Sequence, residues 1–341
     1  MKIAQVAPLY ESVPPKLYGG TERIVSYLTE ELIHQGHEVT LFASGDSITA
    51  GRLVAVCPES LRLNEECIDR LAHHIVMLEE VVRKADSFDI IHYHIDYLHF
   101  PLSLCHKLHH VTTLHGRLDI PDLIPLYQRF PTMPVISISN SQRKPLEWIN
   151  WQGTVYHGLP HTLYGFHEPP GKYLAFLGRI SPEKRVDRAI QIAKRLGMEL
   201  KIAAKVDAVD REYFQDIIKP LLNDPYVEYI GEISEAEKES FLGEAYALLF
   251  PIDWQEPFGL VMIEAMATGT PVIAFNCGSV PEVLNNGVTG FIVNDIDQAV
   301  KAVEQLPALS RRECRREFEE RFTATRMAKD YTAVYNRLIA M

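Results

Sequence analysis

The chain has 341 residues, 47% hydrophobic and 23% charged, the composition of a globular protein with a sizeable core. At ~150 residues per domain its length suggests two domains, and its formal net charge of −11 argues against a nucleic-acid binder or an anionic membrane partner. The five cysteines, at 57, 67, 105, 277 and 314, form no C-x-x-C pair, which sets aside a zinc knuckle or dithiol motif and suits reduced thiols. The opening "MKIAQVAP" is too short an apolar run for a signal peptide, and no stretch reaches the ~18 apolar residues of a membrane helix. A cytoplasmic location is expected.

A buried-strand pattern runs from Ile3 to Ala7, followed by a long Pro- and Gly-containing loop to Gly19 and Gly20. Ile24, Val25, Leu28, Leu32 and Ile33 then mark one apolar helix face, with Gly36 as its stop. Glu38 to Ser44 reads as the next strand, and "FDIIHYH", "HHVTTLHG" and "MPVISIS" continue the alternation. Parallel strands need crossover helices, so the pattern predicts an α/β sheet covered on both faces.

Near Gly158 the texture changes to "GLPHTLYGFHEPPGK", which reads as a linker. The alternation then restarts with "YLAFLGRI", a helix from about Pro182 to Leu196, "ELKIAAK", a helix near Tyr213 to Leu222, "VEYIGEI", a helix from Glu235 to Tyr246, "ALLFPI", and later "TGFIVND". The tail from about Arg311 to Met341 is helical and mixes Arg with Glu, which reads as a solvated face. The fold class expected is α/β, with two Rossmann-like doubly wound parallel-sheet domains facing across a cleft. Ligands of such sheets bind beyond the carboxyl ends of the strands.

Four constellations lie at such ends. In "EPFGLVMIEAMATGTPVIAF", Glu256 sits on the loop after a strand. Phe258, Gly259 and Leu260 offer backbone N–H groups at a helix start, and Glu264 lies little more than a turn into that helix. Carboxylates accept hydrogen bonds from diols, so a sugar and a ribose are suitable partners; the plainer alternative is an acid at a helix N-terminus and an exposed acid. In "GRISPEKRVDRAI", Arg179 follows a strand and Lys184 opens the next helix. Such a pair suits a diphosphate, or else balances Glu183 and Asp187. In "KLYGGTERI" the glycines Gly19 and Gly20 allow close backbone approach, but the pattern is not the dinucleotide G-x-G-x-x-G, which counts against a nicotinamide enzyme. The histidine-rich run includes His92 and His94 on one strand face, and Asp96 as a conceivable third metal ligand. His115 ends a strand beside a glycine, where it can bond a substrate or meet developing charge. His157 closes another strand and can equally be structural.

Together these motifs resemble glycosyltransferase family 4, the retaining group with the two-Rossmann GT-B fold. "GG" before the first helix, "GR" then "EK" after the first strand of the second half, and the E-x7-E of Glu256 and Glu264 occur in the family's order over nearly the whole chain. The resemblance implies an acceptor-binding domain over residues 1–160, a nucleotide-sugar-binding domain over 170–320, and a helix over 321–341 returning to the first domain. It implies that Arg179 and Lys184 hold the diphosphate with help from Gly20 and its neighbour Gly19. Glu264 would bind the ribose. Glu256 and the backbone of Phe258, Gly259 and Leu260 would take the sugar, Gly231 and Ile233 would line the base pocket, and His115 would lie at the reacting centre. The catalytic set is then His115, Glu256, Arg179 and Lys184. One departure is Arg185, which stands where many members have glycine after the lysine. The chain is also short for the family, which implies a trimmed acceptor domain.

No D-x-D motif stands where a metal-dependent transferase needs it, so neither metal nor cofactor is expected. The implied activity is transfer of a hexosyl unit from a UDP- or GDP-sugar to a hydroxyl of a small-molecule, glycan or lipid-linked acceptor. The resemblance implies retention of configuration, with front-face attack expected because no nucleophilic carboxylate stands out. A nucleotide-sugar epimerase of the same fold and a non-catalytic nucleotide-sugar-binding protein are the alternatives. The sequence sets no oligomeric state.

Overall fold

The computed structural model describes residues 1–17, 19–62 and 64–340. The chain forms two units, Met1–Pro160 with Ala324–Met341, and His161–Thr323. The first holds a seven-stranded sheet of β1 (Lys2–Val6), β2 (Glu38–Ala43), β3 (Arg52–Ala55), β4 (Ile90–Tyr93), β5 (His110–Thr113), β6 (Val135–Ser137) and β7 (Trp151–Thr154), in the order β3-β2-β1-β4-β5-β6-β7. The second holds six strands, β8 (Tyr173–Arg179), β9 (Leu200–Lys205), β10 (Val227–Gly231), β11 (Ala245–Phe250), β12 (Val272–Phe275) and β13 (Gly290–Val293), in the order β10-β9-β8-β11-β12-β13. Every pairing is parallel. These are two Rossmann-like parallel-sheet domains. The strand order reverses between β1 and β4 in one and between β8 and β11 in the other, the places where such sheets offer a ligand crevice.

The central strands are near-continuous apolar runs because helices cover both of their faces. Ile3, Ala4 and Val6 of β1 are wholly buried, as are Leu174 and Ala175 of β8. Helix Gly20–His34 buries Ile24, Val25, Leu28 and Leu32, and the chain turns at Gly36 with φ 84°.

Several expectations shift. The helix expected from Pro182 begins at Val186, because Arg185 adopts a left-handed conformation (φ 53°, ψ 48°). Lys184 therefore sits in the turn before the helix, with its N–H on Ser181 O at 3.1 Å. Arg179 is the last residue of β8, still paired with Lys205 of β9. The helix expected to reach Tyr246 ends at Gly243, and Tyr246 belongs to β11. A Ser234–Glu237 capping box fixes its start. The helix expected near Tyr213 to Leu222 is irregular: an α turn Arg211–Tyr213, a π segment Phe214–Ile218 and a 3-10 segment Lys219–Asn223, with Pro220 in its first turn. Strand β3 and helices Arg70–Arg83 and Ile296–Gln305 have no counterpart in the sequence reading.

The tail is two helices, Arg311–Arg321 and Ala324–Ile339, separated at the fully buried Phe322. Arg312 and Arg316 do lie on a solvated face, but Arg311 is buried and Arg315 half-buried. Arg311 donates to the carbonyls of His167, Gly243 and Ala245 and to Thr270 Oγ1 at 2.7–3.0 Å. Arg315 donates to the carbonyls of His161, Tyr164 and Ala267 at 2.6–2.8 Å. Backbone carbonyls turned inward at strand and helix ends need donors, and a guanidinium carries five.

Candidate active site

In the second unit, β8 and β11 are neighbours, and the groups of interest hang from their carboxyl ends. The loop after β11 is tied to the turn after β8 by Asp253 N–H donating to Glu183 O at 2.8 Å. That bond brings Lys184 to Glu256, 72 positions on, and their side chains form an ion pair. The pair is largely covered, with side-chain exposures of 19% and 11%. Trp254 Nε1–H donates to the same carboxylate oxygen at 3.0 Å, and the Lys184 ammonium lies 5.0 Å from the Trp254 ring centre and 5.6 Å from that of Phe250.

The Glu256 backbone is clasped from the far side. Ser279 N–H donates to Glu256 O at 3.0 Å, and a Cβ on Gly278 (φ 57°) would fall 2.4 Å from Glu256 N and O. Only glycine fits there, so Gly278 sets the height of the Glu256 loop. Gly259, also left-handed at φ 80°, caps helix Leu260–Thr268. Phe258 is buried against Phe322, with its carbonyl accepting from Ser279 Oγ at 2.7 Å, while Leu260 opens the first helical turn and is half-buried.

Arg179 is half-buried among three acids: Glu183 at 2.5 Å, Asp207 at 3.5 Å and Asp210 at 3.6 Å. Burial pushes the Glu183 carboxyl up, but its own backbone N–H and the Arg179 guanidinium are among the groups that outweigh it and hold it below its usual range. Asp210 is raised, because burial there exceeds the pull of Arg179. Arg185 is drawn away onto Asp187 and Asp253, both at 2.8 Å, and Arg188 shares Asp253 at 2.9 Å. The balance expected between Lys184 and Asp187 is thus made by Arg185 instead.

Glu264 is 4% exposed and pairs with Lys238 at 2.8 Å, which also reaches Glu235 at 3.3 Å. Each acid of the E-x7-E motif therefore has its own lysine. The sequence reading missed Lys238 on helix Glu235–Gly243, Trp254 on the Glu256 loop itself, Gly278 after β12, and Asp207 and Asp210 after β9. The "CGS" after β12 is the one cue to Gly278. Gly231, at φ 80°, ends β10, and Ile233 follows it half-buried.

In the first unit, Gly19 precedes helix Gly20–His34, and a Cβ there would meet Pro15 Cβ at 2.7 Å. Gly19 is thus packed by its own loop. Beside it Glu22 is 6% exposed; burial lifts its carboxyl to about 7, against bonds from its own and Glu11's backbone N–H. His115 follows β5. Its Nε2 lies 2.9 Å from His94 Nδ1, its ring stacks on His157 at 5.3 Å and 17°, and burial pushes its pKa down to about 3. His92 and His94 share a face as expected, 4.0 Å between ring centres, but all four of their nitrogens are engaged in hydrogen bonds. Among the described residues no group of three or more His, Cys, Asp or Glu is arranged to hold a metal ion, and no helix is long and apolar enough to cross a membrane. The five cysteines are unpaired thiols.

Two doubly wound units, with a cation pair and an acid pair at the switch point of the second, define a GT-B sugar transferase. The pattern of Glycosyltransferase Family 4 matches residues 18–190, and that of Glycosyl transferases group 1 matches residues 166–323. The chain belongs to glycosyltransferase family 4 and is a glycosyltransferase. It is 26% identical to an uncharacterised glycosyltransferase of Methanocaldococcus jannaschii over 86% of this chain and 85% of that one. It is 24% identical to the N-acetyl-alpha-D-glucosaminyl L-malate synthase of Bacillus anthracis over 93% of both chains. The fold is shared with an Anabaena protein solved in complex with UDP and glucose, with a TM-score of 0.74, 17% identity, and coverage of 99% of this chain and 100% of that one.

Proposed function

We propose that the chain moves a hexosyl unit from a nucleoside diphosphate sugar to an acceptor hydroxyl, with retention of configuration and without a metal. The observation that carries this reading is the meeting of Lys184 with Glu256 beside Arg179, at the carboxyl ends of adjacent strands β8 and β11. A nucleoside diphosphate gains negative charge as the anomeric bond breaks, and fixed cations aimed at that charge lower the barrier. Arg179 and Lys184 already hold carboxylates, so a diphosphate enters by exchange. Lys184 passes from Glu256 to a phosphate oxygen, and Glu256 is released to accept from sugar hydroxyls. Glu264 takes the ribose diol, and the amides of Phe258, Gly259 and Leu260 assist at the helix start. Gly231 and Ile233 line the base. From the first unit, Gly19 and Gly20 address the diphosphate and His115 the sugar.

UDP is the favoured carrier, since the Anabaena structure of the same fold holds UDP and glucose. The relative named for joining N-acetylglucosamine to L-malate favours a small-molecule acceptor. The test is a donor panel scored by nucleoside diphosphate release over a panel of acceptors, with the product anomer assigned by NMR. Release from a UDP-sugar with a retained linkage is expected. An inverted linkage overturns the stereochemistry. Epimer formation from donor alone points to an epimerase, and tight donor binding without turnover or slow hydrolysis to a binding protein.

A further inference from the structure

Six side chains extend inward from His115 through the core of the first unit. His94 Nδ1 meets His115 Nε2 at 2.9 Å, and His94 Nε2 meets Gln5 Oε1 at 2.8 Å. Gln5 Nε2 donates to Tyr335 Oη at 3.3 Å, which lies 2.7 Å from His92 Nδ1. His92 Nε2 meets Thr113 Oγ1 at 2.7 Å, and Thr113 donates to Tyr331 Oη at 3.0 Å. Gln5, His92, Thr113, Tyr331 and Tyr335 are wholly buried, and His94 is 2% exposed.

Imidazoles and hydroxyls can pass hydrogen bonds in either direction. Gln5 cannot: its carbonyl only accepts and its amide only donates. With the carbonyl toward His94, His94 Nε2 carries a proton. Burial keeps His94 neutral, so its Nδ1 is a lone pair and His115 Nε2–H donates to it. His115 is neutral too, which leaves its Nδ1 bare. That atom is buried and has no hydrogen-bond partner among the described residues. The reverse polarity would put an N–H at this spot with no acceptor, and buried N–H groups left alone are rarer than buried acceptors left alone.

Resting on the transferase reading, we propose that Gln5 is a positioning residue which, through His94, fixes the tautomer of His115 so that Nδ1 accepts a hydrogen bond from a substrate hydroxyl. His115 thus receives a proton donor and supplies none. Its stacking on His157 holds the ring plane. Nδ1 itself is covered, while the His115 residue is partly exposed, which sets it at the margin of the core.

The test uses the full chain with Gln5→Leu and Gln5→Glu. Gln5→Glu keeps an oxygen toward His94; Gln5→Leu removes the only member with unlike ends and frees the relay to reverse. Nitrogen-15 shifts of the His115 ring separate a protonated Nδ1 from a bare one. The expected result is a bare Nδ1 in the wild type and in Gln5→Glu. In Gln5→Leu, Nδ1 becomes protonated or exchanging, and kcat/KM falls about 10- to 100-fold, the effect of an unpaired buried polar group. Gln5→Glu recovers most of that loss. A protonated Nδ1 in the wild type overturns the proposal, as does a Gln5→Leu chain with unchanged shifts and rate. If Gln5→Leu does not fold, the shifts of the wild type and Gln5→Glu decide alone, and a protonated Nδ1 in either one refutes it. If the wild type transfers no sugar from any donor, the transferase reading fails while the shifts still judge the relay.

Discussion

Replacing Lys184 with alanine removes one cation and strands one acid, and the two effects can be measured apart. The ammonium is the charge partner of Glu256 and sits against Phe250 and Trp254. If it faces the departing diphosphate, its loss raises the barrier by ~2.7–4 kcal/mol, about 100- to 1,000-fold in kcat. Glu256, with a side chain 11% exposed, then retains the Trp254 N–H at 3.0 Å but no ammonium. Such a poorly compensated carboxylate destabilises the second unit by roughly 1–3 kcal/mol. At about 2–4 °C per kcal/mol for a domain of 150–250 residues, the melting midpoint falls by a few degrees. Adding Glu256→Gln neutralises the stranded acid and keeps its volume. The double variant is expected to regain the melting temperature and to remain slow. Nucleoside diphosphate release under saturating donor and scanning calorimetry read the two effects. Wild-type turnover in Lys184→Ala, or in the double variant, refutes the reasoning and reduces Lys184 to a counter-ion for Glu256.

Glu264→Gln is expected to raise the donor Kd by about 10- to 100-fold, the worth of hydrogen bonds to a charged group, with a smaller effect on kcat; calorimetric titration with the nucleoside diphosphate checks it. Arg185→Gly relieves a left-handed backbone but loses the ties to Asp187 and Asp253, so stability in urea should change by less than about 1 kcal/mol, whereas the β-branched Arg185→Val should be lower than Arg185→Gly by about 1–2 kcal/mol. Stability should also fall in acid. Burial holds His92, His94, His99 and His157 well below 6.5, and His115 at about 3. Between 6.5 and those values the unfolded chain takes up protons that the folded chain refuses, so stability is full above 6.5 and declines as pH falls. Glu22, raised to about 7, acts oppositely: its contribution is present below the ordinary carboxylate value and lost as pH rises through about 7. These five histidines outnumber that one acid, so the urea midpoint should drop from pH 7.5 to pH 5. A flat or rising midpoint contradicts this balance.

The alternation of apolar runs with amphipathic stretches was enough to read two parallel-sheet units, because strand burial on both faces is written into local composition. Glu256, Glu264, Arg179 and Lys184 stood out because each lies at or near the end of such a run. What local pattern could not reach was which acid meets which base. Arg185, which stands where many family members have glycine, turns left-handed and is drawn onto Asp187 and Asp253. Lys238, on a helix that reads as an ordinary charged surface, is the partner of Glu264. Arg311 and Arg315 of the tail read as solvated because their acceptors are backbone carbonyls from distant segments, such as His167 before β8 and Ala267 on helix Leu260–Thr268.

By itself, then, the sequence determined most of the strands, though not β3, and the chemical types placed at their ends, since these follow from neighbours a few residues apart. The tertiary structure alone decided the pairings, Lys184 with Glu256 across 72 positions and Gln5 with Tyr335 across 330. Hydrogen bonds and ion pairs depend on distances of about 3 Å, and those distances arise only when strands, loops and helices far apart in the chain are packed together, as β1 is with helix Ala324–Ile339.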